Sequence, residues 1–140
     1  ANKRLTTFLN LSTIDARYVS SDEPAYDNKK VELVPPATLR TGLSIGDNKF
    51  SASYQFSYVK EHYSDATNAV THPHGIVGLI PSYYVMDISL KYSINKFQFE
   101  GGINNLTNRS YFTRRATGYP GPGIIPSPPR NFYIAAQIIL

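Results

Sequence analysis

Alternation with a period of two dominates this chain. From Phe50 to Tyr58, the residues Phe50, Ala52, Tyr54, Phe56 and Tyr58 fall on one side, with the serines and Gln55 on the other. That is the pattern of a β-strand with one apolar and one polar face. It returns from Tyr84 to Ile94, where only Val85 interrupts the polar side, and from Phe97 to Ile103. Ala37 to Ile45 alternates likewise, and Phe132, Ile134, Ala136, Ile138 and Leu140 form the apolar set of a last strand. A first strand is expected around Leu5 to Val19, but its faces are mixed and the pattern does not say which side is apolar. No segment approaches the ~18 consecutive apolar residues of a membrane helix, whereas a barrel strand needs only ~9–11 residues with alternate positions apolar.

Six strands follow from this reading, joined alternately by long and short connections. The short ones are Gly46-Asp47-Asn48 and Asn95-Lys96; the long ones run roughly from Ser20 to Pro36, His62 to Ser82 and Arg109 to Pro129. Three unstructured loops beyond ~12–15 residues argue against a compact soluble domain. They suit an outer-membrane barrel, which has short periplasmic turns and long extracellular loops. Composition agrees. Aromatics make up 13% and charged residues only 17% of the chain, against roughly one quarter charged in soluble domains. There is no cysteine, hence no disulfide or thiolate site, and the net charge of +4 is too diffuse to suggest nucleic acid. Barrels close with ~8 strands or more, so further strands are expected upstream of Ala1. The fold class expected is all-β: an antiparallel up-and-down transmembrane β-barrel, of which residues 1–140 are the C-terminal six-strand portion.

Four stretches carry a resemblance. Tyr58 to Asn68, and then Gly78 to Asp87, resemble the late barrel of TonB-dependent outer-membrane receptors, most closely the ferric-citrate receptor group. Ile103-Asn104-Asn105-Leu106-Thr107-Asn108-Arg109-Ser110-Tyr111-Phe112 resembles that family's Asn-Leu-Phe-Asp-x-x-Tyr signature, with Thr107 and Asn108 in place of Phe and Asp. Pro129-Arg130-Asn131-Phe132 resembles the approach to a closing strand, although Leu140 stands where a terminal aromatic is usual. The resemblance implies a barrel of about twenty-two strands, an N-terminal plug inside it, and a TonB-box peptide coupling it to the inner membrane. It further implies energy-driven uptake of an iron chelate, ferric citrate or another siderophore, across the outer membrane of a Gram-negative bacterium. The implied partners are the chelate, the chain's own plug domain, the TonB complex, outer-membrane lipid and lipopolysaccharide.

The residues themselves offer few chemical centres. Glu61, His62, Ser64 and Asp65 are adjacent in sequence, but catalytic triads assemble from separated positions and no nucleophile-elbow pattern is present. The reading is therefore not an enzyme, with no cofactor. His62, His72 and His74 read as solvated loop histidines and not as a metal site, although His72 and His74 remain candidates for ligand contact. Arg109, Arg114 and Arg115, beside Tyr111 and Tyr119, are the better candidates, because guanidinium groups grip carboxylates bidentately. Their alternative role is to face lipopolysaccharide phosphates. Asp87, Lys91, Gln98 and Glu100 are expected to line the lumen or touch the plug, and the tyrosines and phenylalanines near strand ends to form an interfacial girdle. Two rival readings are a soluble all-β module binding carbohydrate or protein, and a non-transport barrel such as an adhesin. The soluble module requires Phe50, Tyr54, Phe56, Ile88, Leu90, Phe97, Phe99 and Ile134 to pack into an internal core.

Overall fold

The computed structural model describes residues 4–119 and 121–139; Leu140, assigned above to the last apolar set, and Pro120 lie outside them. Six long strands form one antiparallel sheet: β1 (Arg4–Thr13), β2 (Ala37–Gly46), β3 (Phe50–Val59), β6 (Tyr83–Ile94), β7 (Phe97–Asn104) and β10 (Asn131–Ile138), hydrogen-bonded in that order. The long connections are not structureless. The first contains a 3₁₀ turn at Pro24–Tyr26 and an Arg17–Lys30 bridge. The second contains the two-stranded β4 (His62–Tyr63) and β5 (Leu79–Ile80), and the third β8 (Phe112–Ala116) and β9 (Gly123–Pro126). Arg114 and Arg115 thus sit on a strand.

β1 ends at Thr13 and not near Val19, and the cause lies on its neighbour. Ile14 donates one more backbone bond to the Pro36 carbonyl, but Pro35 and Pro36 have no N–H to give, so the ladder cannot continue along them. At the opposite end of the sheet the turns are tight. The Asp47 carboxylate accepts the Lys49 and Phe50 amides at 2.8 and 3.0 Å, and Asn95 adopts φ 51°, a left-handed conformation that asparagine tolerates.

Register shows the two faces directly. Leu5, Ile45, Ala52, Leu90, Gly101 and Ile134 are consecutive partners across all six strands, as are Thr7, Leu43, Tyr54, Ile88, Ile103 and Phe132. Every member lies on the same face. The other face carries Thr6, Ser44, Ser53, Ser89, Gly102 and Tyr133 in a single row. The mixed pattern of β1 is thereby resolved: Leu5, Leu9 and Leu11 join the apolar face, and Phe8 stands on the polar one. There it covers Gly42, its register partner, so closely that a Cβ on Gly42 would lie 2.2 Å from the ring. Tyr133 covers Gly102 in the same way on the last strand pair. An aromatic over a cross-strand glycine fills the gap that the missing side chain leaves.

Among the described residues nothing forms a second layer on the apolar face. Among the described residues Ile80, in a loop, is the one buried hydrophobic, while Leu90, Phe97 and Phe99 are exposed and Ile134 is 90% exposed. The set required for an internal core therefore does not form one. Among the described residues β1 and β10 have no outer strand partner, and both are exposed.

Candidate functional site

The polar face and the loop end of the sheet are the two places where chemistry can be arranged. On the polar face, Asp87, Lys91, Gln98 and Glu100 all point away from the apolar rows. Lys91 is the direct partner of Glu100, and Ser93 of Gln98. Glu100 accepts the Tyr133 hydroxyl at 3.0 Å. A hollow of about 200 Å³ lies over Ser53, Gln55, Asp87, Ser89, Asn104 and Tyr133. Its walls carry hydroxyls, amides and one carboxylate, which suits hydrogen bonding to a polar protein surface better than enclosing an apolar ligand.

At the loop end, one residue that sequence reasoning left without a role organises the site. Asn105 is 3% exposed and has φ 52°. Its amide nitrogen donates to the Arg109 carbonyl at 2.9 Å and the Pro128 carbonyl at 3.3 Å, and its oxygen accepts the Arg109 amide at 2.8 Å. Its own N–H goes to the Asp87 carboxylate at 2.9 Å. Asp87 is therefore divided between lining the inner face and terminating β7. Three residues on, Asn108 also has a positive φ, and its side-chain oxygen accepts the Arg130 amide at 3.0 Å. The signature-like stretch thus works as a tied turn that joins β6, β7 and the start of β10.

Beyond this turn the chain crosses the rim. Arg109 lies on the outer side, its guanidinium carbon 4.7 Å from the ring centre of Tyr84, a favourable cation–π placement. Tyr111 lies on the inner side, stacked on Tyr83 at 4.7 Å. Arg115 is held inside the loop layer: it donates to the Gly75 carbonyl at 2.7 Å and the Leu79 carbonyl at 3.0 Å, and packs over Phe112. Arg114 is exposed, and Tyr119 is 99% exposed. His72 and His74 sit together, rings 5.6 Å apart, with the His74 amide donating to His72 Nδ1. His62 departs from the expectation of a solvated histidine. It is 7% exposed and its Nδ1 faces the Lys60 carbonyl at 3.1 Å. No group of three or more metal-ligating side chains occurs among the described residues.

The three long loops are stitched to one another. Asn68, at φ 55°, accepts the Lys30 amide at 2.7 Å and donates to the Lys30 carbonyl at 2.8 Å, imitating a strand partner. Leu33 donates to the Tyr63 carbonyl at 2.8 Å. These bonds join the first loop to the second, and Arg115 joins the second to the third. In the first loop, Tyr18 gives its hydroxyl to Glu32 at 2.6 Å, and that carboxylate acceptor pushes the phenol above its ordinary value.

No family model and no curated protein matches the sequence. Solved structures do. The ferric citrate transporter FecA, in its unliganded form, superposes with a TM-score of 0.87 at 16% identity, over 96% of this chain and 21% of its own. The ferric yersiniabactin uptake receptor FyuA from Yersinia pestis gives 0.77 at 18% identity, over 96% of this chain and 21% of its own. The copper transporter OprC gives 0.73 at 16% identity, over 97% and 21% respectively. The chain therefore spans about a fifth of each, and at such identities the likeness is one of fold. This protein has the fold of a TonB-dependent receptor barrel, as an antiparallel six-strand portion of a larger up-and-down β-barrel.

Proposed function

We propose that this chain is the C-terminal wall and outer-loop segment of an outer-membrane, TonB-dependent transporter that takes up a metal chelate, with ferric citrate the favoured cargo. The carrying observation is the apolar face that continues across six strands with none of the described residues packed over it as a second layer. A soluble sheet would need a second layer there; lipid supplies one. Spacing supports the same reading. On that face of β6, Tyr84 and Tyr92 bracket Met86, Ile88 and Leu90, and they belong to aromatic rows with Tyr58 at one end and with Phe50 and Phe99 at the other. Tyr84 and Tyr92 are eight positions apart on β6, roughly 27 Å along a strand and about 20 Å along the membrane normal at a typical barrel tilt, close to the ~25 Å apolar band between aromatic girdles.

In this reading the strands of β1 and β10 pair with further strands of the same barrel, the polar face meets a plug, and the loop end captures the chelate. Arg114, Tyr119, His72 and His74 are the proposed contacts, with Arg115 holding the loop that presents them. The chain's own residues perform no covalent step, so the role is that of a receptor and not an enzyme. The iron stays within its chelator as cargo, and plug movement driven through TonB releases it inward.

Two measurements on the full-length protein test this. Spin labels at Phe56 and Ile88 should relax faster with oxygen than with a polar nickel reagent; protection from both would mean a buried core and sink the barrel wall. Titration with ferric citrate, a ferric catecholate and a copper chelate should then give tightest binding to ferric citrate. Preference for another chelate would replace the cargo and keep the transporter. Binding of none by correctly inserted protein would point to a non-transport barrel.

A further inference from the structure

Cations gather on the polar face at the turn end of the sheet, far from the loops. Arg4, Gly46, Ser51 and Lys91 are consecutive partners across β1, β2, β3 and β6. Gly46 and Ser51 are short, so this row is a trough with a long cation on either side. Three strand spacings separate Arg4 from Lys91, about 14 Å between backbones, a gap that two such side chains can close on one ligand. Lys49 stands at the open end. Its carbonyl accepts the Ser93 amide at 2.7 Å, one step beyond the Phe50–Tyr92 pair, and alternation from the outward Phe50 puts it on the polar side. Two adjoining hollows of about 260 and 500 Å³ share Asp47, Asn48 and Ser51; Arg4 lines the first, Lys49 and Lys91 the second. All three cations are exposed, and among the described residues none forms an ion pair. The neighbouring acids are engaged with other groups. Glu100, opposite Lys91, accepts the Tyr133 hydroxyl at 3.0 Å, and the Asp47 carboxylate accepts the Lys49 and Phe50 amides.

In the barrel reading the tight turns lie at the periplasmic mouth, so a solute captured at the loops leaves past this trough. Fixed cations beside a low-dielectric wall draw an anion, and exposed, flexible ones hold it weakly enough to let it go. We propose that Arg4, Lys49 and Lys91 form an exit station for an anionic chelate, occupied after the plug has moved and before the chelate enters the periplasm. The guanidinium and the two ammonium groups take peripheral oxygens of the chelate, and the short floor of Gly46 and Ser51 leaves room for its bulk. Lysine is depleted at the cores of protein–protein seams, which favours a passing solute over a fixed acidic segment of the plug. This assignment rests on the transporter reading and gives the cargo a second position, at the end opposite to its capture.

The test uses cells carrying the full-length receptor, with Arg4→Gln, Lys49→Gln and Lys91→Gln made singly and together. Binding of ferric citrate to de-energised cells reads capture at the loops; uptake of radioactive iron by energised cells reads passage. Binding should be unchanged in every variant, which also shows that each is inserted and folded. Each single variant should lower the maximal uptake rate about fivefold, as expected for one charge at contact in water, and the triple variant should lower it further. Lys49→Arg and Lys91→Arg, which keep the charge, should transport like wild type. Uptake by the triple variant at the wild-type rate overturns the proposal and leaves the transporter reading standing. So does slow uptake joined to a new leak of a small uncharged solute, because the trough would then be the seat of an acidic plug segment. A wild type that accumulates neither ferric citrate nor a ferric catecholate overturns the transporter reading and this proposal with it.

Discussion

Asn105 shows how a single residue can hold the loop end to the sheet. Its side chain makes three hydrogen bonds from a left-handed backbone position. Asn105→Ala should cost about 2.5–5.5 kcal/mol, from three lost bonds at ~0.5–1.5 each plus ~1 for the conformation. Asn105→Gly, which keeps the conformation, should cost about 1 kcal/mol less; urea unfolding of the full-length protein in vesicles would read both. The sequence marked this stretch through a resemblance, yet nothing in its pattern distinguished Asn105 from Asn104, which points inward and bonds Asn131. Only the end of the β7 ladder separates them. Asn108 was legible as a departure from the signature, and its structure explains why it is tolerated: an amide oxygen accepts the Arg130 N–H as a carboxylate would. Tyr18 offers a pH test. Because its neutral form is held by Glu32, the bond is intact below pH 10 and is lost as pH rises through the elevated value in the folded protein. The Tyr18 phenol should therefore titrate above 10, and Glu32→Ala should bring it down; carbon NMR of labelled tyrosine would show the change, and an unmoved midpoint would remove Glu32 as the cause.

For the strands, period-two alternation was enough to locate five of the six long elements within a few residues, because one face is apolar almost without interruption. β1 resisted for a physical reason: Phe8 obeys a local need on the polar face, filling the space over Gly42, and so breaks the alternation. That pair should behave as a unit. Gly42→Ala forces the ring aside and should destabilise by about 1–3 kcal/mol, while in a Phe8→Ala background the same change should be nearly neutral. A double-mutant cycle measures the coupling; additive effects would mean the ring has room to move. The loops were misread as structureless because two- to five-residue strands leave no periodic signal. What holds them is side-chain mimicry of backbone, at Asn68 above all. Asn68→Ala should speed hydrogen exchange at the Lys30 amide by tenfold or more, since a lost bond of about 1.4 kcal/mol corresponds to that factor. Unchanged exchange would mean the loops are held by other bonds.

On the proposed reading the whole sheet is one wall of a larger barrel, and its depth axis can be read from residue numbers. Ile88 lies four positions from Tyr84 and four from Tyr92, the two aromatic levels on β6, and so falls at the middle of the apolar band. Its neighbour Ser89 lies at nearly the same depth on the opposite face, in the row with Ser53 and Gly102. An arginine at each position therefore separates lipid from lumen with depth held constant. On the lipid side at the midplane a charge costs roughly 2–4 kcal/mol, whereas on a wet inner face it costs little. Ile88→Arg should lower folding stability in vesicles by that amount and Ser89→Arg by less than about 1 kcal/mol. In a soluble two-layer protein Ile88→Arg would instead abolish folding in water as well as in lipid. In a barrel, thinning the bilayer should reduce the penalty, because the guanidinium then has less far to reach to the headgroups. A penalty independent of bilayer thickness would mean that Ile88 faces protein, and the wall would have to be placed elsewhere.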